Sequence, residues 1–147
     1  MSRHALRIGP GPATGGEARI AVWLTAFQRV LGLFYLGLAA LTWAWALGIW
    51  PSPEIRFDTV APLERVLLAT FAVLHPICAV GLWSTMPWGR VVWFMTVSAH
   101  VLAVFAPTRL VFVPMQLLLV DAALLLAYLS LSLLLVLARR GAKAREA

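Results

Sequence analysis

Val111 to Ala138 reads VFVPMQLLLVDAALLLAYLSLSLLLVLA, 28 residues in which Asp121 is the only charged side chain. Wound as a helix, this run exceeds the roughly 20 residues that cross the hydrocarbon core of a bilayer. Its apolar residues are continuous and do not alternate with period two, so a helix is expected and a barrel strand is not. Towards the N-terminus lie three further runs, Val30–Trp50, Val60–Trp83 and Val91–Ala106. The third is the shortest, but Pro87 and Trp88 can open its helix one turn earlier, giving about 20 helical residues.

Composition agrees with that reading: 62% of residues are hydrophobic, 12% are charged, and the mean hydropathy is +0.89, far beyond soluble averages. The expected fold is all-α, a polytopic four-transmembrane-helix antiparallel bundle with spans near 28–50, 60–84, 87–106 and 112–138. Short connections make successive helices antiparallel neighbours. Residues 1–19, with Gly9-Pro10-Gly11-Pro12 and Gly15-Gly16, are expected to be a disordered basic tail. Residues 20–138 then form the membrane domain and 139–147 a second basic tail. The first run is read as a span and not as a cleaved signal, since it is longer than an ordinary signal core and follows an unusually long basic region.

Nine of the twelve Lys/Arg residues collect on one side of these spans: Arg3, Arg7, Arg19, Arg29, Arg90, Arg139, Arg140, Lys143 and Arg145. Arg56, Arg65 and Arg109 fall on the other. The positive-inside rule therefore predicts a multi-pass protein with cytoplasmic N- and C-termini and a cytoplasmic Thr85–Arg90 turn. Arg29, Arg90, Arg139, Arg140, Trp50, Trp83 and Trp88 are expected to anchor the bundle at the membrane interfaces. The basic tails suit anionic lipid headgroups; no nucleic-acid partner is expected, because no soluble domain interleaves the arginines with aromatics.

Small residues mark close helix approaches. Gly37, Ala40, Ala44 and Gly48 share one face of the first helix, as do Ala99 and Ala103 in the third and Ala123 and Ala127 in the fourth. These faces suit packing within the chain, against a second copy, or against a larger membrane complex. At the start of the second helix, Asp58 or Thr59 is expected to cap, with Pro62 in the first turn. In its middle Pro76 removes an N–H and frees the Ala72 carbonyl.

His75, His100 and Asp121 are the ionisable groups within the spans, and such groups are costly there unless paired. His100 lies six residues from Ala106 and Asp121 seven from Pro114, at nearly equal depth on helices joined by a short turn. A His100–Asp121 pair is therefore expected. His75, eleven residues from Glu64, counts to about 7 Å deeper than His100 and is set apart from the pair. All three remain candidate binding or relay residues. No Cys pair, HExxH or nucleophile motif is present, so no metal site and no soluble-type catalysis is expected. Cys78 is read as core packing.

Phe27-Gln28-Arg29-Val30-Leu31-Gly32-Leu33-Phe34-Tyr35-Leu36, Arg56-Phe57-Asp58, Ala79-Val80-Gly81-Leu82-Trp83 and Pro87-Trp88-Gly89 give the chain its likeness to other proteins. Over residues 25–138 it resembles a bacterial domain-of-unknown-function family of small four-helix inner-membrane proteins. The resemblance implies that fold and location, and no functional residues. Small multidrug transporters are also short four-helix proteins, but their membrane-embedded glutamate in the first helix has no counterpart in Leu36–Leu41. The sequence points to an accessory protein that packs with itself or with a larger membrane complex. The alternative is a small proton-coupled transporter or small-molecule binder using Asp121 and His100, and the third reading is a b-type haem or quinone protein.

Overall fold

In lipid, a chain segment must satisfy its backbone N–H and C=O groups internally, and each apolar run does so as a helix. The computed structural model describes residues 15–49, 57, 60–106 and 114–146. It places α1 at Gly15–Ala46, α2 at Pro62–Trp83, α3 at Pro87–Phe105 and α4 at Met115–Glu146. All four are long and apolar enough to cross a membrane, and there is no strand among the described residues. Trp50, Arg56, Asp58, Thr59, Arg109 and residues 1–14 lie outside the described residues.

Two boundaries depart furthest from the sequence reading, and α1 also stops at Ala46, short of the expected 50. α1 begins at Gly15, so residues 15–19 of the expected disordered tail are helical, and α4 continues to Glu146 through most of the expected C-terminal tail. The α4 extension is rich in Ala, Arg and Lys and the α1 extension carries Glu17, Ala18 and Arg19 after two glycines; adding residues to an existing helix avoids the cost of nucleating a new one. Glu17 in the first turn of α1 also complements the helix dipole.

The helix ends are set by local chemistry. α1 stops in a Schellman motif: Gly48 adopts φ 67°, the Ile49 N–H donates to the Ala44 carbonyl at 2.9 Å, and the Gly48 N–H donates to the Trp45 carbonyl at 3.0 Å. At the start of α2 the cap is Ala61, which has no side chain to offer. Glu64 Oε2 accepts from the Ala61 N–H at 3.2 Å instead, and Pro62 occupies the first turn as expected. α3 opens at Pro87, also as expected. Between α2 and α3, Thr85 takes a left-handed φ of 55°, a strained geometry for a β-branched residue.

Around the bundle, α1 touches α2 and α4, and α3 touches α2 and α4, while the two diagonal pairs make no close backbone approach. The helices thus stand as a ring with four interfaces. One core cluster near the α2–α3 turn joins Leu31, Tyr35, Cys78, Leu82, Trp93 and Tyr128; a second, towards the opposite end, joins Leu68, Phe71, Ala103 and Leu117.

Glycines determine how closely the ring closes. Gly81 of α2 and Gly89 of α3 bring their backbones into contact: a Cβ on Gly81 would lie 2.6 Å from the Gly89 Cα, and a Cβ on Gly89 would overlap the Gly81 backbone. In α1 it is Gly32, not Gly37, that meets α2, with the Ala79 carbonyl 3.1 Å from where its Cβ would stand. Gly37 has open space around it, Ala40 faces outward, Ala44 is half-buried and Gly48 serves the helix end, so most of the small-residue face expected on α1 lies outside the bundle. Ala103 is buried and Ala99 and Ala127 are half-buried, whereas Ala123 faces outward.

Because Gly32 packs on the backbone of Trp83, the last residue of α2, the seventeen residues 15–31 of α1 run about 25 Å past that end. Past Tyr128, which the Arg90 guanidinium reaches at 3.4 Å, α4 runs on for 18 residues, about 27 Å. The expected anchors therefore do not share one level. Arg29, Trp83, Trp88 and Arg90 gather at the α2–α3 turn, and Arg139 and Arg140 stand about 16 Å farther along α4.

The Gly89→Ala variant should lower the thermal unfolding midpoint sharply, since backbone of α2 lies in the way, with a loss of about 3 kcal/mol or more. Gly37→Ala should be neutral or slightly stabilising, by up to about 1 kcal/mol. Unfolding of both variants in the same detergent, followed by circular dichroism, checks the contrast.

Candidate functional site

The buried face of α1 places Tyr35 and Thr42 seven residues apart, two turns along one stripe. Between them a file of side chains crosses the bundle. The Tyr35 hydroxyl donates to Asp121 Oδ1 at 2.9 Å, and Asp121 Oδ2 lies 2.7 Å from His100 Nδ1. His100 Nε2 meets His75 Nε2 at 3.0 Å, and His75 Nδ1 meets Thr42 Oγ1 at 3.0 Å. The file passes from α1 to α4, α3, α2 and back to α1, and places one hydrogen bond across each of the four helix interfaces.

The expected His100–Asp121 pair is present. The isolation of His75 is not: the structure joins it to His100. Depth counted along the chain follows Cα positions, but helical side chains lean towards the N-terminus of their own helix. In the antiparallel α2 and α3, His75 and His100 lean towards one another, and the two rings close the counted offset of about 7 Å.

Proton positions in the file follow from counting donors. Thr42 donates its only hydroxyl proton to the Leu38 carbonyl at 2.7 Å, so its oxygen accepts from His75 Nδ1. His75 then presents a lone pair at Nε2, which makes His100 Nε2 the donor across that contact. One proton remains between His100 Nδ1 and Asp121 Oδ2. Whether written as imidazolium with carboxylate or imidazole with carboxylic acid, the file has no net charge and every donor has an acceptor. Removing that proton requires Thr42 to turn to His75 and both imidazoles to exchange tautomers.

Aromatic rings seal the file. Tyr35 stacks on His100 at 6.4 Å between centroids, and Phe71 packs on His75 at 5.4 Å and on His100 at 4.9 Å. Tyr35 and His100 are 0% exposed and Asp121 is 1% exposed. Three grooves on the described surface are lined by other residues. Nearby, the buried Trp93 indole N–H interacts with the Tyr35 hydroxyl oxygen but falls short of full hydrogen-bond geometry, so the polar accounting is tighter along the file than at Trp93.

The carbonyl freed by Pro76 is also satisfied. Trp43 Nε1 donates to the Ala72 oxygen at 3.0 Å, in place of the N–H that residue 76 lacks. Trp43 thus repairs the backbone of α2 from α1. Tyr35 and Thr42 were not among the candidate residues. Their spacing of seven on an otherwise apolar helix was the available signal, and it is no stronger than that of a packing stripe.

The geometry does not fit a haem between the histidines. An iron would need two metal–nitrogen bonds of about 2 Å each, about 4 Å in all, with a porphyrin between the rings. Here the two Nε2 atoms are 3.0 Å apart, and Phe71 and Tyr35 pack against the rings. Each lone pair in the file is taken up by a neighbouring donor, and none is free for a metal.

Four apolar helices, closed around a polar file with no soluble domain among the described residues, define a small polytopic membrane protein. The chain belongs to a family of unknown function, DUF6163, which matches residues 22–139. No curated protein and no solved structure matches it.

The Trp43→Phe variant should lose about 1–3 kcal/mol of stability by stranding the Ala72 carbonyl. Pro76→Ala supplies the missing backbone N–H, so in that background the same substitution should cost less than half as much. A double-mutant cycle read by thermal unfolding measures the coupling.

Proposed function

We propose that this chain is an accessory protein of the bacterial inner membrane, with both termini in the cytoplasm, that packs against a second copy or a larger membrane complex. The observation that carries this reading is the extension of α1 and α4 past the α2–α3 turn. Val22 and Trp23 on one helix, and Leu133, Leu134 and Leu137 on the other, are exposed there, and neither α2 nor α3 accompanies them. A helix pair covered on one side only offers apolar surface for a partner protein. Arg19, Arg139 and Arg140 on the same extensions, with the nine-to-three charge asymmetry, support the cytoplasmic assignment of that end.

A second reading is supported by the file itself: a proton-coupled role in which the shared His100–Asp121 proton is exchanged. Its continuity through two tautomeric histidines favours this reading, since proton transfer along it only requires each bond to reverse its donor. Its closure on all sides favours the accessory role, in which the file fixes helix register.

Asp121→Asn separates the two. An asparagine can accept from Tyr35 through oxygen and donate to His100 through nitrogen, so it preserves the circuit while removing the exchangeable proton. On the accessory reading this variant keeps its stability to within about 1 kcal/mol and retains its partners, whereas Asp121→Ala loses about 3 kcal/mol or more. A deletion phenotype complemented by the wild type but not by a stably folded Asp121→Asn protein would favour proton coupling.

For the accessory role, photo-crosslinkers at positions 23 and 134 should trap the same discrete protein in native membranes, while one at position 105 should not. Trapping of lipid alone at both extension sites would exclude it.

A further inference from the structure

Below Arg29, the lipid-facing side of the α1–α2 interface carries a groove of about 350 Å³ lined by Gly32, Leu33, Leu36, Ala79, Val80, Trp83 and Ser84. Its depth arises from the close approach of Gly32 to α2, where the absence of a side chain leaves a concavity between the larger walls of Leu36, Val80 and Trp83. Apart from Ser84 at its end, every residue lining it is apolar or Gly, except for the indole N–H of Trp83. The polar end is towards the α2–α3 turn. There Arg29 places its guanidinium carbon 5.8 Å from the centroid of the Trp83 ring, one helical turn before Leu33 on the same face of α1.

We propose that this groove binds one anionic phospholipid, with the phosphate at Arg29, the glycerol region beside Trp83 and Ser84, and an acyl chain along Gly32, Leu36, Ala79 and Val80. Charge complementarity selects this occupant. The groove runs from a cation into an apolar channel, which is the order of groups along a phospholipid, and Gly32 to Leu36 spans about 6 Å, enough to hold the first methylenes of the chain. A second copy of the protein would bring another Arg29 to the same mouth in a chain of net charge +6, where like charges repel. Trp83 contributes from both directions: its ring face attracts the arginine, and its apolar edge forms a wall of the groove.

The site differs from the diffuse attraction of basic tails to a membrane in requiring both a charge and a groove, and the test uses one variant for each. The full chain is placed in nanodiscs containing equal amounts of phosphatidylglycerol and phosphatidylcholine, and lipid retained on release is counted by native mass spectrometry. The wild type should retain about one phosphatidylglycerol in preference to phosphatidylcholine. Arg29→Gln should reduce that preference about fivefold, the fold-change of a single interfacial cation. Leu36→Trp fills the groove from a position that is 53% exposed, and should reduce retention to a similar extent with unchanged thermal unfolding. Arg140→Gln should leave retention unchanged.

Equal losses in Arg29→Gln and Arg140→Gln would show diffuse attraction and overturn the proposal, as would a loss in Arg29→Gln with none in Leu36→Trp. Unaltered retention in both groove variants would also overturn it. If Leu36→Trp changed the oligomeric state and not the lipid count, the occupant would be a second copy of the chain.

Discussion

Within hydrocarbon a polar side chain has no water to bond, so every such group in this bundle must find its partner in the protein. The Tyr35–Asp121–His100–His75–Thr42 file meets that requirement and in doing so determines the arrangement of the helices. Each of its bonds crosses a different interface of the ring, so sliding any helix by one turn would break two bonds and leave buried groups unpaired. Apolar packing alone gives little such register, because lipid tails compete with leucines for the same surface. The interface with the fewest close backbone approaches, between α3 and α4, is the one bridged by the shortest bond of the file, His100 to Asp121 at 2.7 Å.

Glycine contacts and the repaired proline act around that centre. Gly81 and Gly89 bring α2 and α3 together at their turn, Gly32 brings α1 against the end of α2, and Trp43 supplies the donor that Pro76 removes. The expense of placing a proline one residue from His75 is thereby met by α1. These constraints tie the four helices together in the middle of the ring and leave α1 and α4 to run on without α2 and α3 beyond the turn. The lipid-facing groove below Arg29 arises where the close approach at Gly32 meets that change from four helices to two.

Four helices and the His100–Asp121 pair were legible in the sequence because both depend on quantities that one chain carries, run length and distance from a helix end. His75 was misplaced because such counting locates Cα atoms and ignores the opposed lean of side chains on antiparallel helices. Tyr35 and Thr42 were not found because a tyrosine and a threonine within an apolar stripe are compatible with ordinary packing. The small-residue face on Gly37 and Ala40 was legible as a face but not as inward or outward, since the same residues serve either purpose. The freed Ala72 carbonyl was foreseen; its donor, on another helix, was not.

The central claim is that the file is bonded in one direction, with His75 protonated on Nδ1 and accepting at Nε2. Nitrogen-15 NMR of the histidine-labelled protein in lipid, with the rings assigned through His75→Gln and His100→Gln, measures this directly. The account predicts an unprotonated Nε2 on His75 that shows a hydrogen-bond coupling to the Nε2–H of His100. A proton on His75 Nε2, with Thr42 donating to Nδ1, would contradict it.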